Sequence, residues 1–235
     1  MSSAVKPLDA QGVNGRRVDL LQHDPELSRL VAGRRASAAL PAVALRLDHG
    51  PWRPATHRSR RNQLGFLILD GLLGRRVAVP GRGRSLELLG KGDLFCPWQE
   101  DSPSFSEITW SVFEPGAIAA LDEEFMIRAR RMPQLLELLA ERALRRSRRL
   151  AVSAAITNAV GVEERVVLLL WQLAERWGQR IEQGVLVPIR LSHEALADLV
   201  GARRPTVTLA LRSLYERGAV KRRESGEWIL TADPP

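Results

Sequence analysis

Between Ala42 and Leu121 the chain alternates brief apolar runs with turn residues. The runs are AVALRL, LGFLIL, LLGRRVAV, SLELL, EITWSVF and AIAAL, and their brevity between turn residues suits strands better than helices. The Asp70-Gly71 pair sits between two of them and favours the positive backbone angles of a two-residue hairpin. Pro80-Gly81-Arg82-Gly83 and Gly90-Lys91-Gly92-Asp93 supply further turns. Many short strands at this spacing predict a small antiparallel β-barrel or jelly roll. Residues 1–22 show no sustained periodicity and carry Gly12, Gly15, Arg16 and Arg17, which reads as a flexible N-terminal arm. Asp24-Pro25-Glu26 then starts a short helix reaching Gly33: Asp can cap, Pro suits the first helical position, and Glu complements the dipole.

Beyond Asp122 turn residues thin out and helical spacing takes over. A segment interrupted at Pro133 runs to about Val160, with Leu135, Leu136, Leu138, Leu139, Leu144 and Leu150 on its apolar faces and Arg142, Arg145, Arg146, Arg148 and Arg149 between them. The heptad register through Leu136, Leu139, Ala143 and Leu150 places Arg146 on the seam, so no register fits cleanly. Such a helix after a compact barrel either joins two subunits or packs on its own barrel. A second helix spans Glu163 to Trp177, followed by a loop to Gly184. The expected architecture is α+β: an arm over 1–22, a barrel over 23–132, a dimerisation helix over 133–160 and a winged helix-turn-helix over 161–235.

The last of these rests on LSHEALADLVGARRPTVTLALRSLYERGAVKRRESGEWIL, beginning at Leu191. Ser192 can cap a helix with Leu196, Leu199 and Val200 inward, and Gly201 ends it. The next helix opens near Arg203, has Pro205 in its first turn, and carries Val207, Ala210, Leu211 and Leu214 on one face. Two short helices around a glycine turn form a helix-turn-helix. Ala219 to Arg223 and Glu227 to Thr231 flank the turn Glu224-Ser225-Gly226 and predict a wing. Off the apolar stripe lie Arg203, Arg204, Thr208, Leu209 and Arg212, the candidates for reading bases. Arg204 leads them, since its guanidinium fork matches guanine O6 and N7. Ser192, Thr206, Lys221, Arg222 and Arg223 are candidates for phosphate contact.

Charge sharpens this picture. The 235 residues carry a net charge of +8, mostly through arginine, which grips phosphate in a bidentate way. Only Glu216 is acidic between Arg203 and Arg223, so the basic patch falls on the DNA-reading element. Double-stranded DNA is the expected partner. Without DNA binding, the same features would describe a protein-interaction or scaffold module with a non-specific basic tail. No secretory signal is readable and no apolar run approaches the roughly 20 residues that cross a bilayer, so a cytoplasmic protein with no membrane partner is expected. Cys96 is the single cysteine and His49 and His57 have no supporting ligand pattern, which argues against haem, metal or any other cofactor. With no Gly-x-Ser-x-Gly, phosphate loop or His-Glu-x-x-His motif, no enzymatic activity is expected.

From Leu64 to Leu230 the chain resembles the Crp/Fnr superfamily of bacterial transcription regulators. LSHEALADLVGARRPTVTLALRSL is similar to that family's helix-turn-helix pattern, while LILDGLLGRRVAV and LELLGKGDLF resemble hairpins of its cyclic-nucleotide-binding-type barrel. The resemblance implies a homodimer that reads a palindromic operator, with RNA polymerase and a small-molecule effector as candidate further partners. Cys96, Trp98 and Glu100 are the candidates for an effector pocket, and Trp110 is read as core. Two departures stand out. The family's nucleotide binders place an arginine after the GKGDLF-type turn, whereas here none occurs between Arg84 and Arg128. In the reading helix, Pro205 and Leu209 replace the Glu and Arg of well-known members, which implies a different operator.

Overall fold

A computed structural model describes residues 15–31, 39–54, 63–97 and 103–231. The chain divides into two compact units: residues up to Arg75 with Leu88–Ser147, and Arg76–Glu87 with Arg148 onward.

The first unit begins with strand β1 (Arg16–Asp19), helices α1 (Leu20–His23) and α2 (Pro25–Val31), and strands β2 (Pro41–Leu47) and β3 (Gly50–Trp52). The arm expected over 1–22 is therefore corrected from Arg16 onward; residues 1–14 lie outside the described residues. β1 pairs antiparallel with β2, Arg16 opposite Ala44. Asp19 Oδ1 accepts the backbone N–H groups of Leu21 and Leu40 at 3.1 and 2.9 Å, and Leu20 is fully buried. Four residues are too few for alternation to show in a sequence. Asp24 caps α2 as expected, accepting from Glu26 and Leu27 N–H.

Strand β4 (Gly65–Val79) and strand β7 (Glu107–Leu121) are long and continuous, with β5 (Gly83–Gly90) and β6 (Leu94–Phe95) between them. Neighbouring strands run β1-β2-β7-β4-β5, with β3 on β7 and β6 on β4, an antiparallel, jelly-roll-like arrangement. The hairpin expected at Asp70-Gly71 is corrected: β4 passes straight through it. Gly71 does take a positive φ, +86°, but uses it where β4 meets β7. A Cβ on Gly71 would lie 2.7 Å from Glu114 O, and one on Gly116 would lie 2.1 Å from Asp70 O. Glycine is required on both strands because their backbones touch.

The apolar residues of β4 serve two cores, which is why LGFLIL reads as continuous rather than alternating. Phe66 and Ile68 join Phe95, Trp110, Leu45 and Ile118 inside the sheet. Trp52, Phe66, Phe95 and Trp110 meet there with ring centroids 5.0 to 6.4 Å apart, as expected for Trp110. Leu67 and Leu69 instead join Leu20, Leu27, Phe125 of α3 (Glu123–Ala129), and Leu135 and Leu139 of α4 (Pro133–Asn158). Arg142 of α4 is buried and forks onto Asp24 at 2.5 and 2.8 Å, with Glu26 at 2.7 Å.

In the second unit, α5 (Val162–Trp177) is followed by β8 (Gln179–Ile181) and β9 (Gly184–Val187), then α6 (His193–Val200), α7 (Arg204–Glu216), β10 (Val220–Arg222) and β11 (Trp228–Leu230). The loop expected up to Gly184 is corrected to a β-hairpin. Its strands extend the wing into a four-stranded sheet, β10-β11-β9-β8, with Trp228 opposite Val187. No helix among the described residues is long and apolar enough to cross a membrane.

Candidate nucleic-acid interface

The interface is built by local signals that agree. Ser192 Oγ accepts Ala195 N–H at 3.1 Å and starts α6; Gly201, at φ +62°, stops it in the left-handed conformation that glycine adopts without strain. Arg203 is the N-cap of α7 and Pro205 lies in the first turn. Val207, Ala210, Leu211 and Leu214 are buried, and Val207 is wholly inaccessible. Leu196, Ala197 and Val200 of α6 face the same core, while Leu199 is only half-buried.

Burying that stripe leaves the other side of α7 in solvent. Arg203, Arg204, Thr206, Thr208, Leu209 and Arg212 are all exposed, Leu209 at 67 %. An apolar side chain that open gains nothing from the helix core. Arg212 is held by Glu216 at 2.9 Å across one helical turn, both side chains well exposed, and such a pair contributes only about 0.3–0.5 kcal/mol. A DNA group can compete for that guanidinium.

On the wing, Lys221, Arg222 and Arg223 are exposed. Arg222 is the most restrained: its guanidinium lies over the Trp228 ring, 5.0 Å from the centroid, and donates to Leu191 O at 3.4 Å. Arg223 lies 3.5 Å from Glu227. Arg217, at the C-cap of α7, pairs with Glu163 of α5.

Two residues at this site escaped the sequence reading. His193 opens α6 with Nδ1 2.9 Å from Thr208 Oγ1, and Thr208 in turn donates to Arg204 O at 3.1 Å. Burial, with Arg222 and Arg204 nearby, holds the His193 imidazole below its usual range. Its place right after a cap residue was the only available sign. Asp198, buried in α6, accepts from Arg76 Nε at 2.7 Å and pairs with Arg84 Nε at 2.9 Å, while Arg84 also reaches Glu194 at 3.1 Å. A buried carboxylate without such partners would cost several kcal/mol. Those partners stand more than a hundred residues earlier, beyond any local pattern.

Of the three residues expected to form an effector pocket, only Cys96 falls within the described residues. Cys96 is exposed, and Trp98 and Glu100 lie outside the described residues, as does His57. Among the described residues no group of three or more His, Cys, Asp or Glu is placed to hold a metal ion.

Comparison with known proteins agrees with this geometry. Residues 164–235 match the family model of the Crp-like helix-turn-helix domain. A CRP-like cAMP-activated global transcriptional regulator of Mycobacterium tuberculosis is 33% identical over 176 residues, 72% of this chain and 75% of that protein. The cyclic AMP receptor protein of Thermus thermophilus is 27% identical over 171 residues, 72% of this chain and 76% of that one. Among solved structures, a CRP-family transcriptional regulator, also from Thermus thermophilus, shares the fold with a TM-score of 0.59 at 20% identity, over 80% of this chain and 91% of its own. With the exposed basic face of α7 and the wing beside it, these likenesses show that the chain belongs to the Crp/Fnr superfamily and is a DNA-binding transcription regulator of that type.

Proposed function

We propose that the chain works as a homodimer that reads a two-fold symmetric operator, α7 of each subunit entering one major groove. The observation that carries this reading is the division of α7 into a buried stripe, Val207, Ala210, Leu211 and Leu214, and an opposite exposed row from Arg203 to Arg212. Arg203, Arg204, Thr208, Leu209 and Arg212 face base edges, with Arg204 on guanine and Leu209 against a thymine methyl. Thr206, Lys221, Arg222 and Arg223 contact phosphates and set the register. Ser192 uses its oxygen as a cap acceptor, which leaves its hydroxyl proton to donate to phosphate.

Control by cyclic AMP, which the name of the mycobacterial relative attaches to that protein, does not extend to this chain on our reading. No arginine stands between Arg84 and Arg128 to pair with the cyclic phosphate.

A salt titration of duplex binding tests the proposal. Affinity should fall linearly on a log-log plot against salt, with a slope of about 0.9 per phosphate contact. Indifference to DNA at low salt would leave the scaffold reading in its place.

A further inference from the structure

His193 opens α6 half-buried, and its hydrogen bond crosses to the reading helix instead of into the core. One tautomer of the ring satisfies both of Thr208's side-chain bonds at once. A threonine hydroxyl owns one proton, and Thr208 gives it to Arg204 O at 3.1 Å. With both bonds made, Thr208 Oγ1 accepts from His193 Nδ1, 2.9 Å away, and the neutral ring keeps an unprotonated Nε2. The charges around the ring come from three elements. Arg204 on α7 and Arg222 on β10 both oppose a positive imidazole, and on α6 itself Glu194 is engaged by Arg84 at 3.1 Å. His193 is thus a neutral base beside two guanidinium groups.

We propose that His193 takes up a proton at Nε2 when a DNA phosphate settles beside Arg204 and Arg222, making DNA affinity proton-linked at each reading head. This rests on the DNA-binding reading above. The ring is kept neutral by burial and by the two cations, and the incoming negative charge offsets the cations. No rearrangement is needed, because Nδ1–H donates to Thr208 in both charge states and only the Nε2–H is new. One proton enters from solvent per head bound and returns on dissociation. His193 is in this sense a positioning residue: it holds Thr208, and through it the first turn of α7, while sensing the phosphate.

The sign of the linkage follows. In the unbound protein the imidazole sits below its usual 6.5, and bound phosphate raises it. Affinity is flat above the bound-state value, rises as pH falls through it, and levels off below the unbound value. One proton per head limits the slope to about tenfold in affinity per pH unit for each head, or about a hundredfold for a dimer seated on both half-sites.

The test measures binding of the full chain to duplex DNA by fluorescence anisotropy from about pH 5 to about pH 8, at fixed ionic strength, for wild type and His193→Gln. Glutamine keeps an N–H donor for Thr208 and cannot ionise. Wild type should tighten as pH falls, whereas His193→Gln should show a shallower slope. A proton NMR titration of the His193 ring should give a higher midpoint in the DNA complex than without DNA. Equal pH slopes for the two proteins, or equal ring midpoints with and without DNA, would overturn the proposal. Failure of wild type to bind DNA at any pH would overturn the DNA-binding reading together with this inference.

Discussion

Arg204 occupies the first turn of α7 with its side chain in solvent, and its backbone carbonyl is already engaged by Thr208. Nothing in the hydrophobic core depends on its guanidinium, so its removal should leave the fold intact and change recognition. Replacing Arg204 with Ala is expected to cost about 1–3 kcal/mol of discrimination against the wrong base, while binding to random duplex falls far less. Paired titrations on selected and random DNA measure this difference, and an equal loss on both would remove Arg204 as a base reader. Lys221, exposed on the wing, offers the contrast. Its replacement should weaken both duplexes alike, because a phosphate contact carries no sequence information.

At the scale of elements, the backbone contact between β4 and β7 is where sequence and structure part. Gly71 and Gly81 both take a positive φ, +86° and +70°. A Cβ on Gly81 would meet nothing within 4 Å, whereas one on Gly71 would press on Glu114 O and the Gly116 Cα. Gly81→Ala should therefore cost about 1 kcal/mol from backbone strain alone. Gly71→Ala adds overpacking against a neighbouring backbone and should cost about 2–4 kcal/mol. Chemical denaturation of the two variants compares them directly, and similar midpoints would contradict the close approach. The same glycine explains why an Asp-Gly pair reads as a hairpin. Its positive φ was legible, but a turn and a strand contact both use it, and Gly116, far along the chain, decides between them. The reading head was legible for the opposite reason. Ser192, Gly201, Pro205 and Val207 all act within one or two turns of where they stand, so local pattern and final structure coincide. Asp198 was not, because its partners Arg76 and Arg84 are brought to it by tertiary structure.

For the whole molecule, the proposed two-fold operator reading requires a second copy, and we propose one face of α4 as its seam. Leu135, Leu139, Arg142 and Ile156 are buried. Leu144, Arg148, Ala151 and Ala155 are exposed and follow one another at spacings of four, three and four residues, with Val152 beside them. That is the spacing of a two-stranded seam, on a different face from the register through Leu136, Leu139, Ala143 and Leu150. Small alanines let two such helices approach closely near the C-terminal end, and Leu144 and Val152, 57 and 50 % exposed, supply the apolar contact. Arg148 on the seam lowers stability without forbidding it, as polar seam residues do. Leu144→Glu with Val152→Glu would place like charges against their symmetry mates across the two-fold axis. Sedimentation should show wild type as a dimer and the double variant as a monomer with an unchanged circular dichroism spectrum, since neither side chain belongs to the core. The monomer engages one half-site at a time and should lose about 10²–10⁴ in affinity for a full palindrome, while its affinity for a half-site stays the same. A monomeric wild type on DNA, or a double variant that still sediments as a dimer, would exclude this face of α4 as the seam.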